Sequence, residues 1–213
     1  MMSKTSELII ENIENDIFTD MDLANILLGT RSRRYALVKR MIASGEIIHI
    51  RRGLYCLAQK YQRDQMNLFS LALRVYGPSY VSFESALSYH GWIPEAVYTV
   101  TSASMKKSKD FQTPLGNFSF KRIPTPEFFC FVRRIEVSKH DVFLMAHPFK
   151  ALLDYIYVNR KDWKTLAPAM KSLRIERESF EALSTDDFET LRGQYKNYLV
   201  QRFIKGARKE LGV

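Results

Sequence analysis

Seven cations fall between residues 31 and 52 of this 213-residue chain: Arg31, Arg33, Arg34, Lys39, Arg40, Arg51 and Arg52, with Glu46 the one acid among them. A guanidinium is a planar fork that can meet two phosphate oxygens, or the O6 and N7 edge of guanine, through parallel hydrogen bonds. Cations at this density suit the backbone and major groove of duplex DNA. Arg33 and Arg34 are assigned to base edges or to the phosphates flanking the groove entrance, and Lys39, Arg51 and Arg52 to phosphates or the minor groove. Residues 31–40 taken alone would suit a solvated helix face equally well. The two arginines on the hairpin tip supply the second cationic contact that a groove-and-backbone reader needs.

Other chemistry finds less support. His49, His90, His140 and His147 have no His or Cys partner at metal-ligand spacing, and CxxC and HExxH are absent, so no metal is expected. Neither GxxxxGK[ST] nor a strand-linked GxGxxG is present, and no cofactor is expected. Asp110 followed by Lys121 approaches a nuclease arrangement, but Ser119 stands where a second metal-binding acid would be needed. His90 near Ser85 and Ser88 lacks an orienting carboxylate, and is read as a helix end satisfying its last carbonyls. Lys150 and Asp154, one helical turn apart, are read as an ordinary i,i+4 contact worth about 0.2 to 0.5 kcal/mol rather than a catalytic pair. No catalytic residue is proposed. The lysines of Met105 to Lys109, and Arg133 with Arg134, are weaker signals: a loop lysine run is usually solvated, with an extended DNA footprint or an RNA contact as the alternative.

The elements that would position the cations can be read from capping and periodicity. Thr5 to Asn15 predicts a helix with Leu8, Ile9 and Ile13 inward and Glu7, Glu11 and Glu14 outward. Thr19 caps a second helix, with Asp22 near its positive end and Phe18 stapled to Leu23, stopping at Gly29. A third opens at Thr30 to Ser32 and runs to Ser44, with Tyr35, Val38, Met41 and Ile42 as its buried stripe. Glu46 to Ile50 and Leu54 to Leu57 are short strands joined by Arg51-Arg52-Gly53, where glycine supplies a positive φ. Helix, helix, turn, helix, hairpin is the winged helix-turn-helix order.

Beyond Tyr61 the pattern predicts helices at Met66 to Val75 and Phe83 to Tyr89, then strands at Ala96 to Ser102, Asn117 to Ile123, Phe128 to Val137 and Val142 to Ala146. Residues 105–114 are expected to form a loop. A helix from His147 to Tyr157 comes next, and the rest is helical, ending in one amphipathic stretch from about Asp186 to Leu211 that packs on the chain's own core. The expected fold is α+β: a winged helix-turn-helix over residues 1–58, then a larger mixed domain over 59–213 with a small antiparallel sheet flanked by helices.

Composition agrees with a folded basic protein. The hydrophobic fraction is 46% and the formal charge +9, with pI about 9.5. The distribution is sharper than the total: residues 1–29 carry one Lys against six acids, net −5, and residues 30–55 carry seven bases against one acid, net +6. The acidic first helix is expected to face away from DNA. No run approaches the roughly 20 apolar residues of a membrane span, and MMSKTSELII has no apolar signal core, which suggests a cytoplasmic protein without membrane contact. Cys56 and Cys130 sit in apolar runs and are expected as small buried hydrophobes.

Three segments, IIHIRRGLYCLA, YVSFESALSYHGWIPEAVYTVTSA and HPFKALLDYIYV, occur in an order that resembles AbiEi-type antitoxins, transcriptional regulators of type IV toxin–antitoxin systems. The resemblance covers roughly residues 5 to 158. It implies a winged helix that binds inverted repeats in its own promoter, self-association on that DNA, autorepression, and a C-terminal domain that neutralises a nucleotidyltransferase-like toxin, not necessarily by direct binding. The family's DNA contacts fall on the recognition helix and wing, here Arg31, Arg33, Arg34, Lys39, Arg40, Arg51 and Arg52. Three other readings stand beside it: a free-standing winged-helix regulator, a nucleic-acid-modifying enzyme delivered by its winged helix, and a protein-interaction module using the wing. Convergence of Asp110, Glu136, Asp141 and Asp154 in one pocket would favour the enzyme.

Overall fold

The computed structural model describes residues 3–138 and 141–213; His140 lies outside them. The chain opens with α1 (Lys4–Asn12), β1 (Ile17–Thr19), α2 (Asp20–Ile26) and α3 (Arg31–Ala43), and continues into β2 (Ile47–Arg51) and β3 (Leu54–Leu57). Each helix begins where a side-chain oxygen can take an orphan backbone N–H. Ser3 accepts from Ser6 N, Thr30 accepts from Arg33 N, and Thr19 and Asp22 cap α2 reciprocally.

The strands form an antiparallel sheet in the order β1-β3-β2, with Ile17 opposite Cys56 and Ile47 opposite Leu57. Because side chains alternate along a strand, β3 feeds two cores. Tyr55 and Leu57 join Ile9, Phe18, Leu23, Val38 and Met41 beneath the three helices. Leu54 and Cys56 point the other way, with Ile50, onto Leu71, Ala72, Val75, Phe118 and Phe120. The expected boundary at residue 58 thus lies at the end of a strand that packs into the cores on both sides of it.

The remainder comprises α4 (Leu68–Val75), β4 (Ser79–Val81), α5 (Phe83–Tyr89), β5 (Thr99–Ser104), β6 (Lys109–Thr113), β7 (Gly116–Arg122), β8 (Val132–Ser138), β9 (Asp141–Ala146), α6 (Pro148–Val158), α7 (Leu166–Leu173), α8 (Glu178–Glu181), α9 (Thr185–Gln194) and α10 (Tyr198–Leu211). The class is α+β, but the second sheet departs from the small antiparallel one expected. It has six strands in the order β6-β7-β5-β4-β9-β8, and the pairs β4 with β9 and β5 with β7 are parallel.

Three local expectations change with it. The expected loop 105–114 contains β6, which pairs with β7 from Lys109 opposite Phe120 to Thr113 opposite Gly116. Only Phe111 marks it as apolar, too little alternation to read as a strand. The strands expected from Ala96 and Phe128 begin later, at Thr99 and Val132. The stretch 186–211 is two helices, because the Asn197 side chain accepts from Leu199 N and Val200 N and restarts the helix after Tyr195.

Both C-terminal helices close the largest core, where Phe188, Leu191, Phe203 and Ile204 meet Phe149, Leu152 and Leu153 of α6. A Cβ at Gly206 would collide with the backbone carbonyl of Lys164, so α10 reaches that segment only with glycine there. Among the described residues no helix is long and apolar enough to cross a membrane.

Candidate nucleic-acid interface

The inward stripe of α3 consists of Val38 and Met41, both buried, with Leu37 and Arg34 partly so. Two of the residues expected in that stripe face outward instead: Tyr35 is 71% exposed and Ile42 is 39% exposed. The helix is rotated about one residue from the sequence expectation, because Leu37 rather than Tyr35 packs against the first core. An aromatic ring thus stands on the cationic face.

The rotation sorts the cations. Arg34 folds back, its Nη1 donating to the Gly29 carbonyl at 2.6 Å. Arg33 is exposed, and its stem lies against Gly29, where a Cβ would come within 3.1 Å of Arg33 Cδ. Arg40 is exposed and its Nε donates weakly to the Ala36 carbonyl at 3.4 Å. Arg31 and Lys39, one turn to either side of Tyr35, are exposed.

On the hairpin the two arginines differ. Arg52 is exposed at the tip. Arg51 is half-buried, with Nη1 donating to the Arg52 carbonyl at 3.1 Å and Nη2 to the Arg74 carbonyl at the end of α4 at 3.2 Å. Its two outer nitrogens therefore hold backbone, which makes it an anchor for the tip.

Arg31, Arg34 and Tyr35 of α3, Met21 of α2, and His49 and Arg52 of the hairpin line one cleft of about 510 Å³. Its floor is fixed by Asp20, whose backbone N–H donates to the Gly53 carbonyl at 3.2 Å. The Tyr55 phenol is pushed up to about 12 by burial, by the charge of Asp20 and by donating to it. Gly53 has φ +72°, and a Cβ there would sit 3.1 Å from Asp20 Oδ2. Tyr35, Met21 and His49 were not among the site residues expected from sequence. The signal available was an aromatic one turn from Arg31 and from Lys39.

Outside this cleft the titratable groups are engaged separately. Asp110 accepts from Ser119 Oγ at 2.7 Å and Lys121 Nζ at 3.1 Å, which lowers its pKa. Glu136 pairs with Arg134, and Asp141 accepts from Asn67 Nδ2 at 2.9 Å. Asp110 on β6 and Glu136 on β8 occupy opposite edges of the second sheet, five inter-strand steps or roughly 24 Å apart. The four carboxylates do not share a pocket.

Lys150 and Asp154 make the expected i,i+4 contact, with Nζ 3.9 Å from Oδ1, but both are fully buried, so breaking the pair costs more than the few tenths of a kcal/mol of an ordinary one. Asp154 accepts from Tyr195 Oη at 2.6 Å, Ser82 Oγ at 2.8 Å and Tyr80 Oη at 2.9 Å. Lys150 Nζ donates to Tyr195 Oη at 3.3 Å and lies 5.2 and 5.3 Å from the Tyr80 and Tyr195 ring centres. Burial and the Asp154 charge hold both phenols well above their usual pKa.

The hydroxyls near His90 serve the backbone: Ser85 Oγ accepts from Thr101 N at 2.8 Å and Ser88 Oγ donates to the Glu95 carbonyl at 2.8 Å. His90 ends α5 as expected, its backbone N–H donating to the Ala86 carbonyl at 3.0 Å, while its ring Nε2 meets the Ala146 carbonyl of β9 at 3.1 Å. Burial lowers its pKa. Cys56 is buried in the second core, its thiol pushed up to about 12 chiefly by burial, and Cys130 is only partly buried. No protein-family model matches the chain, and no curated protein matches it.

Proposed function

We propose that residues 1–58 are a winged helix-turn-helix that reads duplex DNA, with α3 in the major groove and the β2–β3 hairpin as the wing, in a cytoplasmic regulator of AbiEi type. One observation carries the reading. The exposed face of α3 and the exposed tip of the hairpin line a single cleft, and the charged side chains there are cationic except for Asp20, which is held at the hairpin turn. A helix presented beside a basic hairpin is how a small domain fills a groove and grips the adjoining backbone. The sheet order β1-β3-β2, which brings the hairpin beside the capped start of α2, supports the same reading.

The test is titration of the purified protein with the duplex lying upstream of its own reading frame and with a scrambled duplex of equal length. Tighter binding to the upstream duplex, weakened steeply by salt, is expected. Equal, salt-independent binding to both would overturn the reading.

The antitoxin role rests on the three sequence segments that resemble the AbiEi type. Co-expression with a nucleotidyltransferase-like protein encoded next to this chain should restore growth that the toxin alone arrests. Operator binding without such rescue would leave a free-standing regulator.

A further inference from the structure

The hairpin tip is not a free arm. Ile50 and Leu54, on either side of it, share a core with Val75 and Phe120, and Arg51 Nη2 grips the Arg74 carbonyl. Tyr76, two residues beyond, carries the contact onward. Its hydroxyl donates to the Lys107 carbonyl at 3.1 Å, its ring packs edge-on to Phe120, and Lys106 Nζ lies 5.5 Å over its face. The turn between β5 and β6 is thereby tied to the same end of α4 as the hairpin.

We propose that Lys106 and Lys107 on this turn form, with Arg52, a phosphate-binding rim that extends the grip on duplex DNA beyond the hairpin; the proposal rests on the DNA-binding reading above. All three side chains are exposed. The acid of the adjoining hairpin, Asp110, is already engaged by Ser119 and Lys121, so it does not offset them. The Lys106 ammonium, held over the Tyr76 ring, keeps a defined height while the side chain stays exposed. Lysine meets phosphate as a point charge and demands no particular base. A duplex offers one phosphate charge per about 1.7 Å of its axis, so a rigid turn carrying two adjacent lysines meets partners without local adjustment.

The experiment measures affinity for a mixed-sequence duplex several helical turns long, across a salt series, for the full chain, for Lys106→Gln with Lys107→Gln, and for a control with Lys171→Gln and Lys209→Gln. The control removes the same charge from exposed positions on α7 and α10. The slope of log K against log salt should fall in magnitude by about 0.9 for each lysine lost from the turn and hold constant in the control. Shortening the duplex to the footprint of α3 and the hairpin should abolish the difference between the full chain and the turn variant. If the full chain binds and the turn variant keeps the same affinity and slope, or both pairs of substitutions act alike, the rim is overturned while the α3 reading stands. If the full chain itself does not bind duplex, or prefers single-stranded RNA, the α3 reading falls and takes the rim with it.

Discussion

The Tyr195 hydroxyl donates to Asp154 Oδ1 at 2.6 Å, joining the break between α9 and α10 to the middle of α6. A carboxylate and an ammonium that are both fully removed from water lose several kcal/mol of solvation each, and they tolerate this only while every partner is present. Asp154→Ala would leave Lys150 charged and alone, and should cost about 3 to 5 kcal/mol, read as a lower urea midpoint. Lys150→Met with Asp154→Leu removes both charges and should recover part of that loss. A double variant less stable than Asp154→Ala would show that the pair contributes more than mutual compensation.

Glu46 does comparable work at the surface of the first core. It accepts from Ser6 Oγ at 2.5 Å, Ser3 Oγ at 2.6 Å, Ser44 Oγ at 2.8 Å and Ser3 N at 3.1 Å, which ties the start of α1 to the end of α3. The hydroxyls of Ser3 and Ser6 lead in lowering its pKa from 4.5 to about 2. A carboxyl depressed by folding adds stability above its unfolded pKa and loses it as pH falls through the folded one. The wild-type chain should therefore exceed Glu46→Gln in stability at neutral pH, and the gap should close between about pH 4.5 and pH 2. Urea midpoints for both proteins across that range measure it; a gap independent of pH would mean that the ionised carboxylate is not what holds the serines.

The contrast between these two acids marks where a sequence stops being legible. Caps at Thr19 and Thr30 and the end of α3 at Ala43 are local signals, and they hold within a residue or two, whereas α1 and α2 stop at Asn12 and Ile26, three residues before the expected Asn15 and Gly29. The burial of Lys150 and Asp154 is not local. It depends on Tyr80, Ser82 and Tyr195, which lie 41 to 74 positions away from Asp154. The orientation of Tyr35 fails for a related reason: Tyr35, Val38 and Ile42 fit a helical stripe as well as Arg34, Leu37, Val38 and Met41 do, and only packing decides between them.

Arg51 and Arg52 are adjacent in sequence but should separate in experiment. Arg52→Ala removes an exposed charge, and should reduce the salt slope of DNA binding by about 0.9 with stability within about 0.5 kcal/mol of wild type. Arg51→Ala frees the carbonyls of Arg52 and Arg74, and should lower stability by about 0.5 to 1.5 kcal/mol per hydrogen bond lost. Its effect on binding should come through loosening of the hairpin, visible as faster amide exchange at β2 and β3. Identical salt slopes and stabilities for the two variants would refute the assignment of Arg51 as an anchor.

Tyr35 and Arg34 test how α3 reads a sequence. Arg34 is turned toward Gly29, whereas Tyr35 is 71% exposed between Arg31 and Lys39. In a major groove an aromatic edge at that position suits the thymine methyl, an apolar feature that other bases lack. Tyr35→Ala should leave stability within about 0.5 kcal/mol, because the ring has little to lose from the core. It should lower discrimination between the preferred duplex and its scrambled counterpart by about 1 to 3 kcal/mol. Arg34→Ala should act mainly on the start of the helix, weakening binding to both duplexes with little change in their ratio. Measuring both ratios at one salt concentration decides the matter: unchanged discrimination for Tyr35→Ala together with its loss for Arg34→Ala would return base reading to the arginine and require its guanidinium to leave Gly29 when DNA binds.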